Sequence, residues 1–115
     1  MTYQIGGAVF EVNRVLGVEF LQKVYDRALL FELRDRGLRA ESQAPINIKY
    51  KDHNVGEYFA DIVVGDQAIL EVKAIDSLQK IHEAQLLNYL KATGYKIGFL
   101  INFTHPKAEI KRFVF

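Results

Sequence analysis

Apolar residues recur at helical spacing through the first third of the chain. One set ends at Gly17 and the next at Gly37, and glycine often follows the last turn of a helix. Because positions three or four apart lie on one face of a helix, each set predicts an amphipathic helix with one buried stripe. The predicted stripes are Ile5, Ala8, Val9, Val12 and Leu16 in the first helix, and Phe20, Val24, Ala28 and Phe31 in the second.

Beyond Gln43 the pattern changes to the alternation of apolar and polar residues that is typical of strands. Three such segments follow one another through short polar turns, so they predict an antiparallel meander. The predicted elements are a strand up to Tyr50, a turn at 51–54, a strand at 55–64, a turn at 65–67 and a strand at 68–74.

The remainder of the chain predicts one helix followed by strands. Asp76 is a candidate N-cap, because Gln79 follows three residues later in a variant of the capping box, and Gly94 ends the helix. Residues 95–103 form a nearly continuous apolar run, as expected of a central strand covered on both faces. Residues 112–115 are expected to add a short edge strand.

Two opposite charges, Glu71 and Lys73, interrupt the third strand and share one face because they are two positions apart. The second strand carries Asp61, and the odd length of the turn between the strands puts Asp61 directly across from Glu71. Like charges at facing positions destabilise a sheet, so we expect a compensating cation. Either Lys73 or a bound metal ion fills that role.

Phe59, Val63 and Ile69 are predicted to flank this charged cluster on its own face, which indicates a half-buried pocket. Two carboxylates are common ligands of Mg²⁺, which takes its remaining ligands from water and substrate phosphates. A neighbouring lysine can stabilise negative charge on a phosphate, so the cluster suits phosphodiester hydrolysis. The alternative is an ordinary ion pair between Lys73 and either carboxylate on a solvated sheet face.

The helix that follows carries a polar stripe at His82, Gln85 and Tyr89, beside leucines that anchor it to the sheet. His82 is expected to be a surface residue. For Gln85 and Tyr89 the spacing leaves two interpretations open. Tyr89 either covers the core with its hydroxyl outward, or both side chains serve the charged cluster.

A chain of 115 residues, 50% of them apolar, is long enough for one domain with a single core over residues 1–115. Its formal charge of +1 means that affinity for nucleic acid would need a local basic patch. The absence of cysteine excludes disulfides, thiolate metal sites and thiol catalysis. Signal-peptide features are missing and no apolar run is long enough to span a bilayer, so we expect a soluble, cytoplasmic protein without membrane contact.

Asp61, then Glu71-Val72-Lys73, then Gln85-x-x-x-Tyr89 resemble the motif of the PD-(D/E)XK nuclease superfamily. The segments LQKVYDRALLFELRDRGL, VKAIDSLQKIHEAQLLNYLKATGYKIGFLINF and KRFVF resemble its GxxExxY branch, so the likeness spans nearly the whole chain. The resemblance implies an α/β fold with a restriction-endonuclease-like αβββαβ core, in which helices flank a mixed central sheet.

The resemblance also implies roles for individual residues. Asp61 and Glu71 would hold a divalent cation, Mg²⁺ or Mn²⁺, and the backbone carbonyl of Val72 would add a ligand. Lys73 would assist the attacking water. The helical pair Gln85 and Tyr89 would orient the site and contact the nucleic-acid strand.

The glycine, glutamate and tyrosine that give the GxxExxY branch its name fall at Glu19, Gln22 and Tyr25, so only the tyrosine is retained. Gln22 keeps the shape of a helical glutamate that lends negative charge to the metal site, but not its charge. Glu19 lies about one turn earlier and could supply the missing acid, so both positions are candidates for the metal site. Alternatively, Glu19 is an acidic first-turn residue that interacts with the helix dipole.

The sequence therefore predicts a metal-dependent nuclease that hydrolyses phosphodiester bonds, in DNA rather than RNA. The alternative is a weakly active or inactive nuclease-like module that binds nucleic acid or a protein partner. A homodimer is a third hypothesis, suggested only by the aromatic residues Phe113 and Phe115. Cations that could contact phosphates, or could simply be solvated on an amphipathic helix, are Lys23, Arg27, Arg34, Arg36 and Arg39.

Overall fold

Three helices and five strands make up the chain in the computed structural model, which describes residues 1–115. The helices are α1 (Thr2–Leu16), α2 (Gln22–Asp35) and α3 (Lys80–Thr93). The strands are β1 (Ala40–Tyr50), β2 (His53–Val64), β3 (Ala68–Lys73), β4 (Ile97–Asn102) and β5 (Glu109–Val114). Together the strands form one sheet in the order β1-β2-β3-β4-β5.

The sheet follows chain order and is mixed, because β3 and β4 are parallel while every other neighbouring pair is antiparallel. A parallel pair needs a long crossover connection, and α3 supplies it. Strand β4 is buried nearly throughout, as its apolar run predicts, whereas β1 and β5 form the edges. The predicted α/β fold, with a mixed central sheet flanked by helices, is confirmed.

The helices cover the two faces of the sheet unequally. Helices α1 and α2 pack on one face over a core of 17 buried residues, whereas α3 packs on the other face over a core of eight. The face under α3 is therefore the more open of the two, and it carries the partly exposed side chains discussed below. None of the three helices combines the length and the apolar character that crossing a membrane requires.

The apolar stripe predicted for α2 is wrong for its two phenylalanines, although Ala28 does pack against the core. The helix begins only after Phe20, and Phe31 is 71% exposed. The buried stripe is Tyr25, Leu29 and Leu33, at positions four residues apart. The pattern misled because α2 has apolar residues on more than one side, and spacing alone does not show which side meets the sheet.

Tyr25 shows why this other side of α2 is the buried one. Its ring stacks on Phe103, with 4.4 Å between ring centroids and 6° between the planes. Its hydroxyl donates a hydrogen bond to the Gly17 carbonyl oxygen at 2.8 Å, which ties α2 to the end of α1. A fully buried aromatic ring with a satisfied hydroxyl stabilises this orientation of α2, whereas Phe20 and Phe31 of the predicted stripe remain exposed.

The β1–β2 turn is shorter, and α3 begins later, than the sequence predicts. The β1–β2 turn contains only Lys51 and Asp52, whose φ angles of 48° and 67° fit a two-residue type I′ turn, so β2 begins at His53.

The N-cap predicted at Asp76 is also wrong. The helix is capped by Gln79, whose backbone N–H donates to Nδ1 of His82 at 2.9 Å in a reciprocal capping box. His82 is therefore a capping residue.

The hydrogen bond from Tyr25 leads to a stability prediction. Tyr25→Phe keeps the stacked ring but removes the only hydroxyl that bonds the Gly17 carbonyl, so the free energy of unfolding should fall by about 1 kcal/mol. Urea unfolding followed by circular dichroism measures it. Tyr3→Phe is the matched control, because Tyr3 is 91% exposed. Equal unfolding free energies for the two variants would contradict the anchoring role of Tyr25.

Candidate active site

Strand β2 changes face at Asp61. Ala60 and Val63 both belong to the core under α3, although they are three positions apart and strict alternation would put them on opposite faces. On β1, the facing residue Gln43 has a φ of 52°, so both strands are irregular at this point. The predicted sharing of a face by Phe59 and Val63 is therefore wrong, and Phe59 is 48% exposed.

Asp61 and Glu71 lie side by side where the β2–β3 ladder ends. The ladder's last regular pair is Ile62 with Leu70, which confirms the register inferred from the odd turn length. Beyond it, the Asp61 N–H donates to Oε2 of Glu71 at 2.9 Å, and the Val72 N–H donates to Oδ2 of Asp61 at 2.8 Å. Each carboxylate thus accepts a backbone N–H of the facing strand at one oxygen, and its second oxygen accepts no backbone hydrogen bond.

Lys73 lies next to both carboxylates without neutralising either. No ion pair within 4.0 Å joins Lys73 to Asp61 or Glu71, so the interpretation of the cluster as an ordinary cross-strand ion pair is wrong. Its positive charge nevertheless lowers the pKa of both acids against larger opposing effects. The ammonium group remains available to another anion.

Asp26 on α2 is a third acid at this site, and it is not among the residues predicted from the sequence. Its Oδ1 atom is buried without a hydrogen-bond partner. Burial, and then the nearby carboxylate of Asp61, raise its pKa to about 7, while Gln22 and Lys73 act in the opposite direction. The available signal was its spacing, because Asp26 lies four residues after Gln22 on the same face of α2.

Negative charge is therefore concentrated in a half-buried cluster of three acids, Asp26, Asp61 and Glu71. Burial, followed by repulsion from Asp61, raises the pKa of Glu71 to about 8 despite its hydrogen bond from the Asp61 N–H. Burial also raises the pKa of Asp61. No three acidic or histidine side chains form a complete metal-binding group, so a bound cation would also need water or substrate oxygens. The carboxylates of Asp61 and Glu71 lie near Asp26, whose Oδ1 atom is unpaired, and Lys73 offsets their charge only in part. Such a group of oxygens fits a divalent cation.

Gln85 and Tyr89 lie at the same site, on the side of α3 that faces the sheet. Gln85 Nε2 donates to the Tyr89 hydroxyl at 2.9 Å, and Tyr89 is only 5% exposed. Burial raises the pKa of Tyr89, and the carboxylate of Glu71 raises it further, so the two groups are electrostatic neighbours. Leu86 and Leu90 fill the core beneath them. Tyr89 combines features of both interpretations, because it belongs to the core and also borders the charged cluster.

The structure separates the two candidates for the missing helical acid. Gln22 is the first residue of α2 and influences Asp26. Glu19 precedes the helix with a φ of 75°, and its side chain is 83% exposed, 3.8 Å from Nε2 of His105. The first turn of α2 contains no acidic residue, so the helix-dipole interpretation of Glu19 is wrong.

The family model of the PD-(D/E)XK nuclease superfamily matches residues 1–113, and the chain belongs to this superfamily. Members of this superfamily are nucleases that typically use divalent metal ions. No curated protein matches the chain in sequence.

Two solved structures are similar in fold, consistent with a restriction-endonuclease-like core. The crystal structure of SSO0001 has a TM-score of 0.63 at 19% identity, covering 80% of this chain and 48% of that chain. The alkaline exonuclease LHK-Exo from Laribacter hongkongensis has a TM-score of 0.53 at 12% identity, covering 95% and 68%. The chain thus spans about half the length of SSO0001 and about two thirds of the exonuclease.

The raised pKa of Glu71 predicts a pH-dependent stability in metal-free protein. Because its pKa rises from 4.5 unfolded to about 8 folded, the folded state retains a proton that the unfolded state loses. Stability should therefore fall as pH rises through that window, lowering the Tm by at least about 5 °C between pH 5 and 8. Thermal unfolding in EDTA measures this slope.

Glu71→Gln removes the carboxyl group whose raised pKa causes this pH dependence, so the slope of Tm against pH should become shallower. Glu57→Gln is the matched control, because Glu57 is exposed on the same sheet and should leave the slope unchanged. A Glu71→Gln slope as steep as that of the wild type would contradict the assignment.

Proposed function

We propose that this protein is a metal-dependent nuclease of the GxxExxY branch that hydrolyses phosphodiester bonds, in DNA rather than RNA. The observation that carries the proposal is the juxtaposition of Asp61 and Glu71, each held by a backbone N–H of the facing strand. The resemblance of the motifs to the superfamily is the support for DNA as the preferred substrate.

Asp61 and Glu71 would hold the divalent cation through the oxygens that the backbone leaves free. When bound, the cation would polarise the phosphate and activate a water molecule. The two N–H donors fix the carboxylates in place before the cation arrives, so little side-chain freedom remains to be lost on binding. Val72 contributes one of these donors, and its carbonyl is a proposed further ligand.

Lys73 would stabilise the negative charge that develops on the phosphate. It suits this role because it lies among three acids without forming an ion pair with any of them. Gln85 and Tyr89 would orient the substrate strand from α3, since their mutual hydrogen bond fixes both side chains beside the carboxylates. These groups would bind and orient the reacting phosphate, with Lys73 as the cation that acts on all three acids of the site.

Asp26 would supply the negative charge that the branch places at the position of Gln22. It projects from the same face of α2 one turn later, and its buried, unpaired oxygen lies near Asp61. Glu19 is less suited, because its side chain is exposed and lies beside His105. Moving an acid by one helical turn keeps the charge at the site while changing the residue that carries it.

A cleavage assay tests the nuclease proposal. Wild-type protein should cut DNA with Mg²⁺ or Mn²⁺, and Asp61→Asn should lower the rate by about 100-fold or more, because an electrostatic group at the reaction centre is lost. Single- and double-stranded DNA and RNA are compared by gel electrophoresis. Asp52→Asn, in the exposed β1–β2 turn, is the matched control. No cleavage of any substrate with either metal would refute the proposal and favour an inactive binding module.

Calorimetric titration of Mn²⁺ tests the acid on α2. Asp26→Asn should weaken binding by about 10-fold or more, whereas Glu19→Gln should leave it unchanged. At a pH above about 7, the same Asp26→Asn variant should unfold at a higher temperature in EDTA, because it removes a buried negative charge that Asp61 repels. Gln22→Glu should tighten Mn²⁺ binding by adding charge. A loss of Mn²⁺ affinity in Glu19→Gln, with none in Asp26→Asn, would contradict the proposal and show that Glu19 supplies the acid.

A further inference from the structure

A groove of about 810 Å³ runs between α3 and the β1–β2 hairpin, and it begins at the active site. Gln85 and Tyr89 line it, and these are the side chains that lie beside the carboxylate cluster. We propose that this groove binds an unpaired strand of the nucleic-acid substrate and leads its backbone to Asp61 and Glu71. The proposal rests on the proposed nuclease function and specifies the form of substrate that the site accepts.

The charge of the groove fits a polyanion. Lys49 on β1 and Lys91 on α3 line it from opposite sides, and none of its lining residues is acidic. Neither lysine takes part in an ion pair within the protein. Because the whole chain carries a formal charge of only +1, this placement is a local feature and not the result of a general positive charge.

An aromatic surface in the groove fits the face of a base. Tyr58 projects from β2 towards α3 and is 51% exposed. Its ring lies 5.7 Å from that of Tyr89, at an angle of 46°, so one ring neighbours the active site while the other remains open. Stacking on aromatic side chains is a main source of affinity for single strands, because every base has a π-face.

Side-chain amides complete the lining. Asn47 on β1 and Asn88 on α3 both lie in the groove, together with Gln85. An amide offers both donors and an acceptor, which suits the hydrogen-bonding edge of a base. In a duplex these edges are paired and the faces are stacked on neighbouring bases. Lysines, an exposed ring and amides in one groove therefore favour an unpaired strand over a duplex.

Fluorescence anisotropy in EDTA measures binding without cleavage. The probe is a labelled oligothymidylate of about 12 nucleotides, and a blunt duplex of the same length is the comparison. Tyr58→Leu should weaken binding of the single strand by about 10-fold or more, through the loss of stacking. Tyr50→Leu is the matched control, because Tyr50 is on the same hairpin, is 60% exposed and does not line the groove.

The lysines are tested by the salt dependence of the same binding. Lys49→Ala combined with Lys91→Ala should lower the slope of log K against log salt by about 1 or more. The control pair is Lys96→Ala with Lys107→Ala, two lysines outside the groove, which should leave the slope unchanged.

Two results would overturn the groove assignment. One is equal affinity of Tyr58→Leu and Tyr50→Leu for the oligothymidylate. The other is a blunt duplex that binds as tightly as the single strand and loses as much affinity on Tyr58→Leu. If wild type cleaves DNA but Tyr58→Leu binds normally, the groove assignment alone fails. If the single strand binds in a Tyr58-dependent manner and no metal supports cleavage, the groove stands and the nuclease function fails.

Discussion

The candidate site depends on the replacement of backbone pairing by side-chain pairing between β2 and β3. At the end of their ladder, the carboxylates of Asp61 and Glu71 accept the N–H groups that a neighbouring carbonyl would otherwise take. The strands can separate there without leaving buried donors unpaired. On its other side β3 stays paired with β4 as far as Lys73, so it remains anchored while β2 departs. The separation of β2 from β3 is thus local, and β4 holds β3 in place.

This arrangement gathers negative charge at a place with limited access to water. Burial and mutual repulsion raise the pKa of Glu71 and of Asp26, and Lys73 opposes this only in part. Such a site is destabilising for the metal-free protein, since either protons or a cation must offset the charge. The large core under α1 and α2 supports the sheet on which this unfavourable cluster is built. The chain's membership of a nuclease superfamily is the basis on which a catalytic role is proposed for this cluster.

The sequence predicted the order of elements and the central pair of acids for clear reasons. Helical and alternating periodicity identify elements, and the odd turn at 65–67 determines that Asp61 faces Glu71. Contacts between elements that are distant in the chain could not be predicted from the sequence. Which side of α2 is buried depends on the partner of Tyr25, and that partner, Phe103, lies 78 positions away in the chain, a contact that no local pattern encodes. Strict alternation also failed at Phe59, because β2 changes face just beyond it.

Asp26 was missed for the same physical reason, since its significance arises only where α2 meets the separated strands. Along the sequence it is one acid among 14, with no spacing to Asp61 that a strand or helix would explain. In three dimensions the two carboxylates are electrostatic neighbours, and a Gln22 that lacks charge lies one turn away. In the proposed site, Asp26 would therefore provide on α2 the negative charge that Gln22 lacks. Loss of one motif position is compatible with a working site when the same helix face offers another acid.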